Sequence, residues 1–323
     1  MDSTIKEFNK NRFFRSDTLL KIWKLILLIC SSPFYDIVVI QRTRLPKVVL
    51  YFLKTLNKNL VYDFDDALFV PFSGLGISEW SDSNKDEIRK KFFSMLPYYK
   101  LVIAGNSYLA EKVRPVNSHI SVIPTPVDTS QYTIPEENIN PSPTIIGWVG
   151  AGEQHIEHLR ILLEPIRNIS KKYPITIRII GAMGSKKIRE LFSHSDTFTA
   201  EIIDSIPQDI FIDEIKKFTI GVMPLVDDEW SRGKCGYKAL LYMACGVPTI
   251  ASPVGVNKDI IEHGESGFLA STNKEWEESI EILLKVPEKR FQMGLKGRDI
   301  IEKRFSQRVC EQKLFETLSS IIN

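Results

Sequence analysis

The sequence predicts an α/β fold made of two parallel-sheet domains. Short β-branched runs alternate with amphipathic stretches along almost the whole chain, the pattern of βαβ units. The 323 residues suit two domains of roughly 150 each. A proline-rich break falls near the middle of the chain and separates two such alternations.

In the first half, strands are expected at Asp36–Ile40, Leu60–Phe64, Leu101–Gly105 and Ile120–Pro124, each a short apolar run bounded by turn residues. Amphipathic helices fall between them at Pro46–Leu56, Asp86–Tyr99 and Tyr108–Arg114. From Thr125 to Pro143 the periodicity stops, and Pro126, Pro135, Pro141 and Pro143 mark a linker. Beyond it come strands Thr144–Gly150, Ile175–Gly181, Phe198–Asp204, Thr219–Leu225, Pro248–Ser252 and Gly267–Ala270. The intervening helices are His155–Tyr173, Lys186–His194, Asp209–Phe218 and Gly236–Cys245, followed by Glu275–Lys285, Glu288–Phe305 and Gln307–Ile322. The expected division is residues 1–140, 141–306 and a final helix over 307–323.

Composition narrows the function classes. With 42 Lys and Arg against 40 Asp and Glu, the net charge of +2 supplies no global field for nucleic acid. Residues 1–60 are different, with eleven basic side chains against four acidic ones. The four cysteines, Cys30, Cys235, Cys245 and Cys310, show no metal or disulfide spacing, which fits a reducing cytoplasm. The most apolar run, Leu19 to Cys30, is about twelve residues long and contains Lys21 and Lys24, short of the ~20 that a bilayer requires. No signal peptide or transmembrane helix is expected.

The chemistry concentrates in Gly221–Ala251. A buried strand leads into a polar loop with Arg232, Gly233, Lys234 and Gly236, then into a helix whose first turn carries Lys238. Lys234 and Lys238 lie four residues apart at a helix start, where free N–H groups and the dipole already favour anions. Basic side chains there oppose the dipole, a cost that a bound diphosphate would offset. The plainer reading makes the glycines a turn and leaves the lysines solvated.

The run KCGYKALLYMACGVPTIASPVGVNKDIIEHGESGFL resembles the C-terminal signature of the group 1 (family 4) retaining glycosyltransferases. IIGWVGAGEQHIEHL, VYDFDDALF and the terminal RFSQRVCEQKLFETL are similar to other parts of that family. The resemblance implies the GT-B fold, two facing Rossmann-like domains with the C-terminal helix crossing back to the first. It also implies a nucleotide-diphosphate sugar as donor, held by the second domain, and a glycan or lipid-linked acceptor at the first, with no cofactor and no metal. Carried over by position, Arg232, Lys234 and Lys238 would contact the donor diphosphate. Gly150, Ala151 and Gly152 match the turn that approaches the donor, and Val254, Gly255 and Val256 match the loop near its distal phosphate and sugar. Lys234 is assigned to catalysis as well.

Two departures stand out. Many relatives carry two glutamates with seven residues between them around this helix, and the corresponding positions here are Gly233 and Leu241. Asp227, Asp228 or Glu229 are candidates to replace them from the preceding loop. The N-terminal domain also reads as shortened, because its first convincing strand is Asp36–Ile40. In that domain Asp63, Asp65 and Asp66 cluster at a strand end, where the family places a His-Asp pair. Asp65 and Asp66 are candidate catalytic residues, with a helix N-cap as the alternative for Asp66. Asn106 is read either as cleft-facing or as an N-cap, and His155 with His158 as a polar first turn.

The basic segment with Phe13, Phe14, Leu19, Leu20, Trp23 and Ile26 has two open readings. One is an amphipathic helix on the inner face of an anionic membrane, and the other is a helix packed on the first sheet. The expected function is a retaining, hexosyltransferase-like glycosyltransferase of cell-surface polysaccharide synthesis. The alternatives are a non-catalytic nucleotide-sugar-binding protein and a sugar-nucleotide epimerase of the same fold. A dinucleotide dehydrogenase is disfavoured, since no G-x-G-x-x-G follows a strand.

Overall fold

The computed structural model describes residues 19–71, 81–134, 143–193 and 197–322. Phe13 and Phe14 lie outside them. The first sheet has four parallel strands in the order β1 (Val38–Gln41), β2 (Leu60–Phe64), β3 (Leu101–Ala104) and β4 (Ile120–Val122). Helix α1, through residues 19–31, precedes β1. The later helices of this domain are α2 (Lys47–Leu56), α3 (Asp82–Met95) and α4 (Ser107–Val113).

The second sheet is built from β5 (Ile145–Val149), β6 (Thr176–Ile180), β7 (Thr199–Ile203), β8 (Ile220–Met223), β9 (Thr249–Ala251) and β10 (Gly267–Leu269). Its six strands are parallel in the order β10-β9-β8-β5-β6-β7, so strand order reverses between β5 and β8. This is the doubly wound arrangement, whose ligand crevice opens at the carboxyl ends of the strands flanking the reversal. Sequence and position agree. The interior strands β5 and β8 are apolar runs buried on both faces, whereas the edge strand β1 alternates buried and exposed. The first sheet has no reversal, which leaves β1 at its edge.

The helices of the second domain are α5 (Ile156–Arg160), α6 (Leu163–Ser170), α7 (Lys186–Ser193), α8 (Phe211–Lys216), α9 (Glu229–Arg232), α10 (Tyr237–Ala244), α11 (Asn257–Ile260), α12 (Asn273–Lys285) and α13 (Pro287–Ile300). The single helix expected over His155–Tyr173 is broken into α5 and α6. Pro165 has no N–H to donate to the Ile161 carbonyl, so the helix restarts at Leu163 with the proline in its first turn. The short α9 falls in what reads from sequence as polar loop, with Asp228 capping it through the Ser231 N–H at 2.7 Å.

The helix expected to run to Phe305 ends at Ile300 and closes with a π-turn over Ile301–Phe305. Ser306 is extended and runs beside Val127, the outgoing crossing between the sheets. Val127 N–H donates to Phe305 O and Gln307 N–H to Val127 O, both at 2.8 Å. The two crossings are therefore hydrogen-bonded into one connection. Beyond it α14 (Gln307–Ile322) lies on the first sheet, with Leu318 and Ile321 against Val61, Leu101 and Ile103. Lys100 donates to the Ile321 carbonyl at 2.6 Å. Among the described residues no helix is long and apolar enough to cross a membrane.

Candidate active site

A cleft of about 520 Å³ opens between the two sheets. Asp65 and Asp66 line it from the first domain, Thr125 and Pro126 from the crossing, and Met223 with residues 234–238 from the second. The structure thus brings together four of the sequence-derived candidates: Asp65, Asp66, Lys234 and Lys238.

Lys238 lies in the first turn of α10, after Gly236, whose φ of +69° suits glycine. Its ammonium sits 5.5 Å over the ring of Trp148, a side chain of β5 that is fully buried. Lys234 Nζ stands 5.3 Å over the Trp230 ring. Among the described residues neither ammonium has a carboxylate within 4 Å. Burial, then the charge of Lys234, pushes the Lys238 ammonium down to about 7, with Asp66 opposing. Burial also lowers Lys234, again against Asp66. Two half-buried lysines with no carboxylate within 4 Å, at the point where strand order reverses, form a site complementary to a polyanion.

His155 and His158 are buried beside these lysines, contrary to the polar turn expected of them. Burial first, then the lysine charges, pushes His155 down to about 2 and His158 down to about 4, so both are neutral at pH 7. His158 Nδ1 accepts the Val226 N–H at 3.1 Å, which leaves its proton on Nε2. A charged pair here would add to the lysine repulsion.

The opposite wall is built differently. Arg42, which the sequence does not single out, follows β1 with φ +53° and reaches both carboxylates. Its Nη2 donates to Asp66 Oδ2 at 2.5 Å and its Nη1 to Asp65 Oδ2 at 3.3 Å. Nη1 is also 2.9 Å from Asp65 Oδ1, but out of line for a hydrogen bond, so that buried oxygen remains an unfilled acceptor. Burial, then the Asp65 charge, raises the Asp66 carboxyl, with Arg42 opposing. Asp66 does not cap a helix here.

The walls touch directly. Asn106 caps α4 through the Leu109 N–H at 2.9 Å, while its Nδ2 donates to the carbonyls of Gly233 and Lys234, each at 3.0 Å. The N-cap reading of Asn106 holds, while its amide is buried at the seam between the domains and does not line the cleft. The Cys235 thiol donates to Asp65 O at 2.9 Å, and burial pushes it up to about 12, so it stays protonated. A Cβ at Gly233 would lie 2.8 Å from the Ala67 nitrogen. The close approach of the first domain therefore excludes a glutamate where relatives carry one.

The proposed replacements for the missing glutamates are occupied elsewhere. Asp227 holds Arg232 at 2.6 Å, Asp228 caps α9, and Glu229 pairs with Arg89 at 2.5 Å and Lys112 at 3.3 Å. Leu241 is buried in the core. Arg232 itself is half exposed, bound to Asp227 and absent from the cleft lining.

Gly150 and Gly152 donate their N–H groups to Ile180 and Gly181, which leaves only the Ala151 N–H of that turn without a backbone partner among the described residues. Val254 and Val256 turn their side chains into the core, so only backbone of that turn is open to a ligand. Gly255 packs on Arg232, where a Cβ would meet the carbonyl oxygen at 2.6 Å.

Comparison with known proteins extends this picture. The model of the family described as Glycosyl transferases group 1 matches residues 143–286. Spore coat protein SA of Bacillus subtilis (strain 168) is 28% identical over 166 residues, 48% of this chain and 43% of that protein. The GDP-Man:Man(3)GlcNAc(2)-PP-Dol alpha-1,2-mannosyltransferase of Dictyostelium discoideum is 27% identical over 192 residues, 58% of this chain and 32% of its own length. The match spans less than half of either relative.

Among solved structures, a glycosyltransferase from Rickettsia africae ESF-5 superposes with a TM-score of 0.70 at 14% identity, covering 93% of this chain and 80% of that one. Anabaena Alr3699/HepE in complex with UDP gives 0.68 at 15%, covering 92% and 82%. At such identities the likeness is one of fold, and that fold is GT-B.

Proposed function

The second domain belongs to the glycosyl transferases group 1 family, and on that premise we propose that this chain moves a sugar from a nucleotide-diphosphate donor to a hydroxyl acceptor with retention at the anomeric carbon. The observation that carries the reading is the pair Lys234 and Lys238, half-buried in the cleft at the strand-order reversal with no carboxylate within 4 Å. A diphosphate seated there supplies the missing negative charge.

The named relatives support the donor class. The Dictyostelium protein is a GDP-mannose enzyme, and Alr3699/HepE has been solved with UDP-glucose. In the reaction the bond from the anomeric carbon to the diphosphate breaks while the acceptor oxygen bonds to the same face. Lys234 and Lys238 stabilise the charge gathering on the departing diphosphate. On the facing wall Asp65 and Asp66 line the cleft, and Asp66, with its raised carboxyl, accepts the proton of the incoming hydroxyl. A glycan or lipid-linked acceptor in surface-polysaccharide synthesis is consistent with a cleft open between the domains.

A second reading, a nucleotide-sugar-binding protein without transfer, is favoured by one observation: Gly233 and Leu241 carry no carboxylate and no loop acid replaces them. Thermal-shift measurements with UDP, GDP and their sugar conjugates test the donor site, because a ligand that binds only the folded state raises the melting temperature. We expect a shift with one base, lost in Lys234→Ala. No shift with any of them refutes the donor site. Incubating the bound donor with acceptor pools then separates transfer from binding, and NMR of the linkage reads retention.

A further inference from the structure

Helix α1 packs on the first domain through Leu25, Leu28 and Ile29. A helix so placed should turn a polar face to water. Instead Leu19, Trp23, Ile26 and Leu27, spaced three or four apart on the opposite side, are all exposed, Leu19 by 65% and Trp23 by 57%. The adjoining α2 repeats this inversion. It buries Val49, Leu50 and Leu53 in the same core and exposes Val48, Tyr51 and Phe52. Between the two helices Phe34 is 85% exposed. Two helices on one core with apolar outer faces, and an exposed aromatic in the turn after the first, make an apolar surface of the kind that marks an interaction site.

Charge identifies what covers the patch. Residues 19–60 contain seven Lys and Arg and a single acid, Asp36. Arg42 is committed to Asp65 and Asp66, and Lys54 donates to the Pro97 carbonyl. Lys21, Lys24, Arg44, Lys47 and Lys58 are exposed and make no ion pair among the described residues. A second copy docked face to face would bring like charges together. A surface of anionic lipid matches both features, since apolar and aromatic side chains enter the interface while lysines meet the headgroups.

We infer that α1, the turn after it and α2 form a peripheral docking surface for an anionic bilayer. The inference does not rest on the proposed sugar transfer.

Co-sedimentation of the full chain with vesicles tests it, using phosphatidylcholine alone and phosphatidylcholine with phosphatidylglycerol. We expect binding to the anionic vesicles only, weakened at least tenfold by high salt, by Lys21→Glu/Lys24→Glu and by Trp23→Glu/Ile26→Glu. All four positions are exposed, so the melting temperature and the nucleotide-induced shift should be unchanged in the same samples. Three results would overturn the assignment: no binding to either vesicle, equal binding to both, or a dimer in sedimentation velocity that Trp23→Glu/Ile26→Glu dissociates. A vesicle result in either direction leaves the nucleotide shift as an independent readout of the cleft.

Discussion

The two walls of the cleft carry opposite charge, and they also differ in whether that charge is answered. On the first-domain wall Arg42 faces Asp65 and Asp66, so the carboxylates have a cation before any ligand arrives. On the second-domain wall Lys234 and Lys238 lie against aromatic faces and pair with no carboxylate within 4 Å, with Asp66 acting on both only at longer range. Desolvated charge is tolerated where a partner or a function compensates it. In the proposed reaction the contrast places ligand affinity on the lysine wall and acceptor chemistry on the carboxylate wall.

The largest effect should follow from removing a cation on the uncompensated wall. Lys238→Met deletes a charge that is costly without ligand and valuable with it. The melting temperature of the free protein should not fall, while nucleotide diphosphate binding weakens by about a hundredfold or more. The pH dependence has a definite sign. The folded Lys238 is lowered to about 7 from 10.5, so between those values the unfolded chain holds a proton that the folded chain lacks, and stability gains from rising pH. A bound diphosphate draws that proton back. Affinity should therefore decline above pH 7, by up to about tenfold per unit, and calorimetry in buffers of different ionisation enthalpy should register proton uptake. A flat profile between pH 7 and 9, kept in Lys238→Met, would detach Lys238 from the site.

This half of the site is legible in the sequence because its parts are close along the chain. A buried strand, a glycine-rich turn and two lysines four residues apart fall within one strand-turn-helix unit. The strands are legible for a similar reason. Ile145–Val149 and Ile220–Met223 are buried on both faces, and their apolar runs say so directly. What is not legible is pairing across the fold. Arg42 sits at the end of one strand and Asp65 and Asp66 beyond the end of the next, and only the parallel register that sets Gln41 beside Asp63 brings them together. Arg232 looks equivalent to Lys234 in sequence, yet Asp227, folded back over one turn, withdraws it. The missing glutamate at Gly233 reads as a lost function until Ala67 of the other domain is seen against it.

A smaller effect is expected on the compensated wall. In Arg42→Ala the Asp65 and Asp66 carboxylates lose their cation, and Asp66, already raised, should rise further because Arg42 is what opposes its burial. The acidic limb of the activity profile should move to higher pH, with turnover down by about tenfold. Arg42 is 47% exposed, so the stability cost should stay near ~1 kcal/mol. Nucleotide affinity should be unaffected. Loss of nucleotide binding in Arg42→Ala, with the pH limb unmoved, would erase the distinction between the walls.

The smallest effect concerns the seam between them. Asn106 belongs to the first domain, yet its amide holds the carbonyls on which the Lys234 loop is built. Asn106→Ser keeps an oxygen that can cap α4 through Leu109 and removes both donors, so α4 should persist while the carbonyls of Gly233 and Lys234 lose their partner. Leaving buried acceptors unpaired should lower stability by roughly 1–3 kcal/mol. If the seam also sets the position of Lys234, nucleotide affinity should drop a few-fold while the Asp66-dependent limb stays where it is. That pattern would make Asn106 a positioning residue for the lysine wall, acting from the domain that carries the carboxylates. A loss of stability with affinity unchanged would mean that the loop keeps its shape without the first domain, and that the two walls meet at Asn106 without being coupled there.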